Sequence, residues 1–133
     1  KGFMDGRMTE NEISKHIVDA AIEVHRVLGG PGLLESVYEE ALVFELEMRG
    51  LQVRRQVKVP IVYKDKHLAC PLCLDLLVAD TVIIEVKATA AYNKIFESQA
   101  LTYLRLTGLK LALVINFGEK LVKDGIHRVV NGL

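Results

Sequence analysis

The chain has 133 residues, half of them hydrophobic, and 17 basic residues balance 17 acidic ones, so the formal net charge is zero. This length and composition predict one globular domain with a substantial core, and no apolar run approaches the roughly 20 residues needed to span a bilayer. The charge balance argues against a sequence-independent grip on nucleic acid, which usually requires a basic excess. We expect no contact with membranes.

The N-terminal part of the sequence predicts two helices. Residues 1–10 lack a hydrophobic signal core, and we expect them to be a disordered or vector-derived N-terminus before a single domain over residues 11–133. Apolar residues at helical spacing predict a first helix over residues 11–28. After the GGPG break, the same spacing predicts a second helix over residues 33–49.

The apolar period then changes to that of strands. Residues 51–63 alternate and predict one strand followed by a KDKH turn, and LACPLCLDLLV and TVIIEVKA predict two more strands joined by a tight turn. KIFESQALTYLRLTG predicts a third helix, KLALVINFG a strand buried on both faces, and the tail LVKDGIHRVV a last strand. This order predicts a mixed sheet flanked by helices.

Three charged residues interrupt the two apolar strands: Asp75 in the first, and Glu85 and Lys87 in the second. Burying lone charges is costly, so these residues need partners. Side chains alternate along a strand, which places Glu85 and Lys87 on the same face. A three-residue loop would put Asp75 directly opposite Glu85, and a two-residue loop would make them diagonal neighbours.

Two neighbouring carboxylates repel each other, and a hard divalent cation removes that repulsion. Carboxylate oxygens are ligands that Mg²⁺ prefers, together with water and substrate phosphate. Lys87 could then orient the attacking water or stabilise the transition state. The alternative is an ordinary salt bridge between Lys87 and Glu85 or Asp75, because short motifs recur by chance.

The surrounding motifs strengthen the metal-site interpretation. The pattern D-x₉-E-V-K at Asp75, Glu85 and Lys87 lies on a β-hairpin between helices, and GLLESVY, QALTYLRLTGLKLALVINFG and DGIHRVV occur in order around it. With these motifs the chain resembles the PD-(D/E)XK nuclease superfamily and, within it, the GxxExxY proteins. The resemblance implies an α/β fold with a restriction-endonuclease-like αβββαβ core, here with an extra N-terminal helix. It also implies a nuclease that uses Mg²⁺ (or Mn²⁺).

The resemblance assigns roles to four further residues. Glu35 would support the metal, although a solvated helical glutamate is an equal alternative. Gln99 and Tyr103 form the Q-x-x-x-Y pattern of RecB-like nucleases and would position DNA or water, although either also suits an amphipathic helix. His25 would lie near the metal and bind substrate, whereas a lone histidine on an apolar helix face is usually structural.

The two cysteines, Cys70 and Cys73, are too few for a secreted disulfide scaffold and indicate a reducing, cytoplasmic environment. A zinc site or an iron–sulfur cluster normally requires four ligands, so we expect both to be small buried residues.

Two functions remain. The first is a metal-dependent nuclease acting on DNA in preference to RNA, and we favour it because the D…E-x-K set is intact. The second is a catalytically silent module for assembly or nucleic-acid binding, which the neutral charge favours. Because a lone core offers little surface for gripping a duplex, we expect a homo-oligomer.

Overall fold

A computed structural model gives the structure of residues 8–133. The first helix, α1 (Glu10–Leu28), begins with a reciprocal cap in which the Thr9 hydroxyl accepts from the Glu12 N–H and the Glu12 carboxylate accepts from the Thr9 N–H. The second, α2, is Glu35–Met48. Residues 1–10 were predicted to be a disordered or vector-derived N-terminus. Residues 1–7 lie outside the described residues, whereas Thr9 and Glu10 form the cap and the first residue of α1.

The described residues form seven strands and one further α-helix. These elements are β1 (Val53–Val59), β2 (Val62–Tyr63), β3 (Lys66–His67), β4 (Leu72–Val78), β5 (Val82–Lys87), α3 (Ile95–Thr107), β6 (Leu111–Asn116) and β7 (Ile126–Val130). Five of the strands make a sheet in the order β1-β4-β5-β6-β7. Strands β5 and β6 are parallel and connected through α3, and the other neighbours are antiparallel. The predicted α/β fold, a restriction-endonuclease-like core with an extra N-terminal helix, is confirmed.

One predicted strand is divided in two. Residues 51–63 form β1 and β2 rather than one strand, and the break falls at Pro60, which has no N–H for a sheet hydrogen bond. The KDKH segment contributes Lys66 and His67 to β3, which pairs with β2 in a separate hairpin. None of the helices in residues 8–133 is long and apolar enough to cross a membrane.

The sheet separates two apolar layers. Helices α1 and α2 pack on one face, around residues such as Ile17, Leu42 and Ile84, and α3 packs on the other, around Leu104 and Ala112. Every residue of β6 is buried, as its continuous apolar run predicts. Because helices cover both faces of the sheet, the charged residues of β4 and β5 have largely apolar surroundings.

Candidate active site

The β4–β5 hairpin sets the register of the two predicted carboxylates. A three-residue loop, residues 79–81, joins the strands, and their ladder runs from the loop to Leu76 paired with Ile84. The next position brings Asp75 beside Glu85, and the Asp75 N–H donates to Glu85 Oε2 at 3.1 Å. Of the two registers that the sequence allowed, the structure has the direct one.

Side chains replace backbone acceptors at this end of the hairpin. Besides the Asp75 N–H bond to Glu85, the Val86 N–H donates to Asp75 Oδ2 at 2.8 Å. Each carboxylate therefore accepts a backbone N–H from the opposite strand, where a regular ladder would use a carbonyl oxygen. These bonds fix the position of both carboxylates and compensate in part for their burial.

Burial gives both carboxyl groups an unusual affinity for protons. Glu85 is only 4% exposed. Its burial, followed by the charge of Asp75, raises the pKa of Glu85 from 4.5 to about 8. Burial also raises the pKa of Asp75, although the hydrogen bond from Val86 opposes that shift. The pair therefore does not carry two full negative charges at neutral pH without a compensating cation.

Lys87 does not form the salt bridge that was the alternative explanation of the charged trio. Within residues 8–133, no ion pair joins Lys87 to Asp75 or Glu85, and its Nζ lies 4.4 Å from the centre of the Phe96 ring. The Lys87 carbonyl oxygen accepts from the Phe117 N–H at 2.8 Å, which holds the end of β5 against β6. The ammonium group is thus held by an aromatic face on the α3 side.

Helix α3 brings the Q-x-x-x-Y pair to the carboxylates. Burial, followed by the negative charges of Glu85 and Asp75, raises the pKa of the Tyr103 phenol, and the nearby Gln99 side chain partly opposes that shift. Tyr103 therefore lies within electrostatic range of both carboxylates and close to the Gln99 side chain. Gln99 is exposed, whereas Tyr103 is half-buried.

Glu35 lies in the first turn of α2 and is exposed. Its charge contributes to the raised pKa of Asp75, so it lies within electrostatic range of the pair. In the part of the chain that the structure describes, no three His, Cys, Asp or Glu side chains are arranged to hold a metal ion together. The role of Glu35 as a metal ligand stays a prediction.

His25 is buried on the α1–α2 side of the sheet. Its Nε2 lies 3.1 Å from the carbonyl oxygen of Phe117, and its ring neighbours those of Tyr38 and Phe117. Tyr38 stacks on Phe117 and donates to the Gly30 carbonyl oxygen at 2.7 Å, so it pins the loop before α2. These contacts support the end of β6, and substrate binding by His25 stays a prediction.

The sequence analysis missed Glu39. This residue is 7% exposed, and its carboxylate accepts hydrogen bonds from both Arg55 and Gln56 of β1. Its charge also raises the pKa of Asp75 and Glu85. The sequence feature that could have identified Glu39 is its spacing, because it follows Glu35 by four residues and therefore lies on the same side of the helix.

The expectation that both cysteines are buried is wrong, because Cys70 and Cys73 are both exposed. Cys70 precedes β4, and Cys73 lies within β4 but faces Gln56, donating to its Oε1 at 3.3 Å. The apolar character of cysteine therefore did not predict its position here.

Comparison with known protein families shows to which family the chain belongs. The family model of the PD-(D/E)XK nuclease superfamily matches residues 11–129, almost the whole domain. The chain belongs to the PD-(D/E)XK nuclease superfamily. No curated protein and no solved structure gives a significant match. PD-(D/E)XK membership indicates a metal-dependent nuclease with a nucleic-acid substrate, and nucleases of this superfamily typically use divalent metals.

The donor chemistry of this PD-(D/E)XK site suits such an ion. Asp75 and Glu85 offer hard carboxylate oxygens side by side, at a place where burial makes their joint ionisation unfavourable. A hard divalent cation binds such oxygens and takes water and phosphate oxygens as its remaining ligands. The residues present therefore fit a divalent metal with a small protein ligand set.

Proposed function

We propose that the protein is a nuclease that hydrolyses phosphodiester bonds, with DNA as substrate and Mg²⁺ or Mn²⁺ as cofactor. The observation that carries the proposal is the juxtaposition of the Asp75 and Glu85 carboxylates, with Lys87 on the same strand face as Glu85. Asp75 and Glu85 would hold the ion, and Glu35 would support it. The ion would supply Lewis-acid stabilisation of the phosphoryl oxygens and a water of lowered pKa.

The remaining residues of the site would bind and orient the substrate. The Lys87 ammonium, held at the Phe96 ring, would orient the attacking water or donate to a phosphoryl oxygen. Gln99 and Tyr103 would position the nucleic-acid backbone, since Tyr103 lies within electrostatic range of both carboxylates and close to Gln99. A tyrosine phenol is protonated at neutral pH and can donate a hydrogen bond, and burial raises the pKa of Tyr103 further above its ordinary value.

The finer family assignment belongs to the same proposal. We place the chain in the GxxExxY branch because of the GLLESVY motif. Within that motif, the Tyr38 hydroxyl is hydrogen-bonded to the preceding loop, and Glu35 lies within electrostatic range of Asp75. We also propose that the protein acts in the cytoplasm, on the basis of its unpaired cysteines, Cys70 and Cys73.

A homo-oligomer would widen the surface available to nucleic acid. An apolar groove between α1 and α2 supports this proposal, since Val27, Phe44 and Met48 line it and are 63–65% exposed. Sedimentation of Phe44→Glu should show a smaller species than the wild type. The matched control is Ile95→Glu on α3, 59% exposed, which should sediment as the wild type does. A wild type that sediments as a monomer would contradict the oligomer.

The nuclease assay uses plasmid, single-stranded DNA and RNA with Mg²⁺, Mn²⁺ or EDTA. We expect cleavage that EDTA abolishes and that Lys87→Ala slows by roughly 10²–10³-fold, the loss typical of removing one electrostatic catalyst. Lys110→Ala is the control, because Lys110 is exposed and directly precedes β6, and should leave cleavage unchanged. Cleavage that persists in EDTA, or that proceeds in Lys87→Ala at the wild-type rate, would contradict the proposal.

The alternative is a silent nuclease-fold module, which the zero net charge favours. It predicts no cleavage of any substrate and no metal binding, together with retained oligomerisation or nucleic-acid binding. Titration of Mn²⁺ into the protein separates the two functions independently of the choice of substrate.

A further inference from the structure

Two consecutive residues of β1 reach the same carboxylate. Arg55 donates to Glu39 Oε2 from Nε at 3.3 Å and from Nη2 at 3.2 Å, and Gln56 Nε2 lies 3.2 Å from each Glu39 oxygen. Consecutive side chains of a regular strand point to opposite faces of the sheet. Gln56 avoids this alternation because its φ is +50°, in the left-handed region that non-glycine residues rarely adopt.

The partner strand changes face at the matching position. Strands β1 and β4 pair on both sides of this point, with Arg55 opposite Leu76 and Val57 opposite Leu74, but Gln56 and Asp75 do not pair. Leu74 packs in the α3 layer, whereas Leu76 packs in the α1–α2 layer, although the two residues have the same parity. Strand β4 therefore reverses its faces at Asp75.

We propose that Glu39 is a positioning residue that holds Gln56 in its left-handed conformation and thereby sets the Asp75 carboxylate beside Glu85. The strain of a left-handed glutamine persists only where the surroundings enforce it, and the buried Glu39 carboxylate supplies two charge-assisted hydrogen bonds to its amide. The inference deepens the proposed function, since it rests on Asp75 as a metal ligand.

The reversal of strand faces at Gln56 and Asp75, which we call the kink, explains the geometry of the carboxylate pair. If β1 and β4 paired regularly through Gln56 and Asp75, the side chain of Asp75 would alternate with those of Leu74 and Leu76. Because the strands reverse at this point, Asp75 Oδ2 instead accepts the Val86 N–H. The bonds from Glu39 thus act on Asp75 through the backbone of two strands.

Substitutions at Gln56 separate the kink from the charge of Glu39. Glycine adopts the left-handed conformation without strain, so Gln56→Gly should keep the kink, whereas Gln56→Val should abolish it because a β-branched residue avoids positive φ. The key variant is Glu39→Ala combined with Gln56→Gly, in which glycine maintains the kink without its anchor. The matched control is Glu40→Ala, the exposed neighbour of Glu39 on α2.

Two measurements on these variants test the proposal: hydrogen exchange of the Val86 amide in metal-free protein, and Mn²⁺ affinity by calorimetry. Glu39→Ala and Gln56→Val should speed exchange at Val86 but not at Ile84, and should weaken Mn²⁺ binding by about 10–100-fold, as expected for loss of an outer partner of a ligand. Gln56→Gly and Glu40→Ala should behave as the wild type. The double variant should recover most of the loss seen in Glu39→Ala.

A double variant as impaired as Glu39→Ala would overturn the proposal, because Glu39 would then act through its charge or through overall stability. Unchanged exchange at Val86 in both Glu39→Ala and Gln56→Val would overturn it too. If the wild type bound no Mn²⁺, the proposed function would fail, and the exchange pattern alone would still decide whether Glu39 sets the position of Asp75. Gln56→Val retains Glu39, so it gives an answer even if Glu39→Ala does not fold.

Discussion

The two ends of the β4–β5 hairpin use the same strands in opposite ways. At the loop end, Leu76 and Val78 pair with Ile84 and Val82 in a regular ladder, and all four side chains are fully buried. At the open end the ladder is broken, and carboxylates accept the backbone N–H groups. The loop end therefore contributes stability, while the open end holds charged groups in fixed positions at a cost in stability.

The largest expected effect tests the loop end. Ile84→Ala should lower the free energy of unfolding by about 2–5 kcal/mol, because it opens a cavity beneath α1 and α2. Urea denaturation of metal-free protein measures this. Val130→Ala, at a position 47% exposed, is the control and should change stability by no more than about 0.5 kcal/mol. A loss below about 1 kcal/mol at Ile84 would contradict a tightly packed loop end.

At the open end, substitution of a buried charged residue should raise the free energy of unfolding. Because the pKa of Glu85 is raised from 4.5 to about 8, the unfolded chain releases this proton first, so stability falls as pH rises between these values. Glu85→Gln removes that loss and should stabilise the metal-free protein at pH 8 by roughly 1–3 kcal/mol.

The pH dependence separates this stabilisation from a general one. At about pH 4.5 and below, where the carboxyl group is protonated in both states, the advantage of Glu85→Gln should disappear. Thermal unfolding from pH 4 to pH 9 measures it. An advantage that is constant with pH would show that the charge of Glu85 is not its cause.

The affinity for a divalent metal should depend on pH through the proton of Glu85. A divalent ion must displace the proton held by the Asp75–Glu85 pair, so Mn²⁺ affinity should rise by up to about tenfold per pH unit, or about 1.4 kcal/mol, and level off above the Glu85 pKa of about 8. Calorimetry in buffers of different ionisation enthalpy counts the protons released. Affinity independent of pH between 6 and 8 would argue against ligation by Glu85.

The smallest expected effect concerns the aromatic support of Lys87. Phe96→Leu keeps an apolar side chain but removes the ring beneath Nζ, and such contacts contribute roughly 0.5–1 kcal/mol at exposed sites. Cleavage by this variant should therefore slow by a few-fold through kcat, with stability little changed. Tyr63→Leu, at a position on β2 that is 60% exposed, is the control and should cleave DNA as the wild type does. Equal rates for both variants would show that the ring does not position Lys87.

The sequence predicted the fold well because its local patterns agree with the tertiary structure. The three helices, the mixed sheet and the fully buried β6 all follow from apolar spacing. The prediction failed where a pattern was ambiguous, as at Pro60, which divides the first predicted strand, and at the exposed Cys70 and Cys73. Local alternation does not show whether a residue lies inside the sheet or beyond its edge.

Some features of the candidate site were likewise predictable from the sequence, and others were not. Side-chain alternation alone places Glu85 and Lys87 on one face, and hairpin geometry restricts Asp75 to two positions. Neither rule predicts the left-handed conformation of Gln56, because glutamine has no intrinsic preference for it. That conformation depends on the packing of α2 against β1, which brings Glu39 to the strand.

The sequence by itself determined that Glu85 and Lys87 share a strand face and that the charges in these apolar strands need partners, because side chains alternate along a strand and lone buried charges are costly. Only the tertiary structure decided how those charges are held. Asp75 and Glu85 accept each other's strand N–H groups, and Lys87 lies at an aromatic ring. Such contacts join segments distant in sequence, so they depend on the packing of the whole domain.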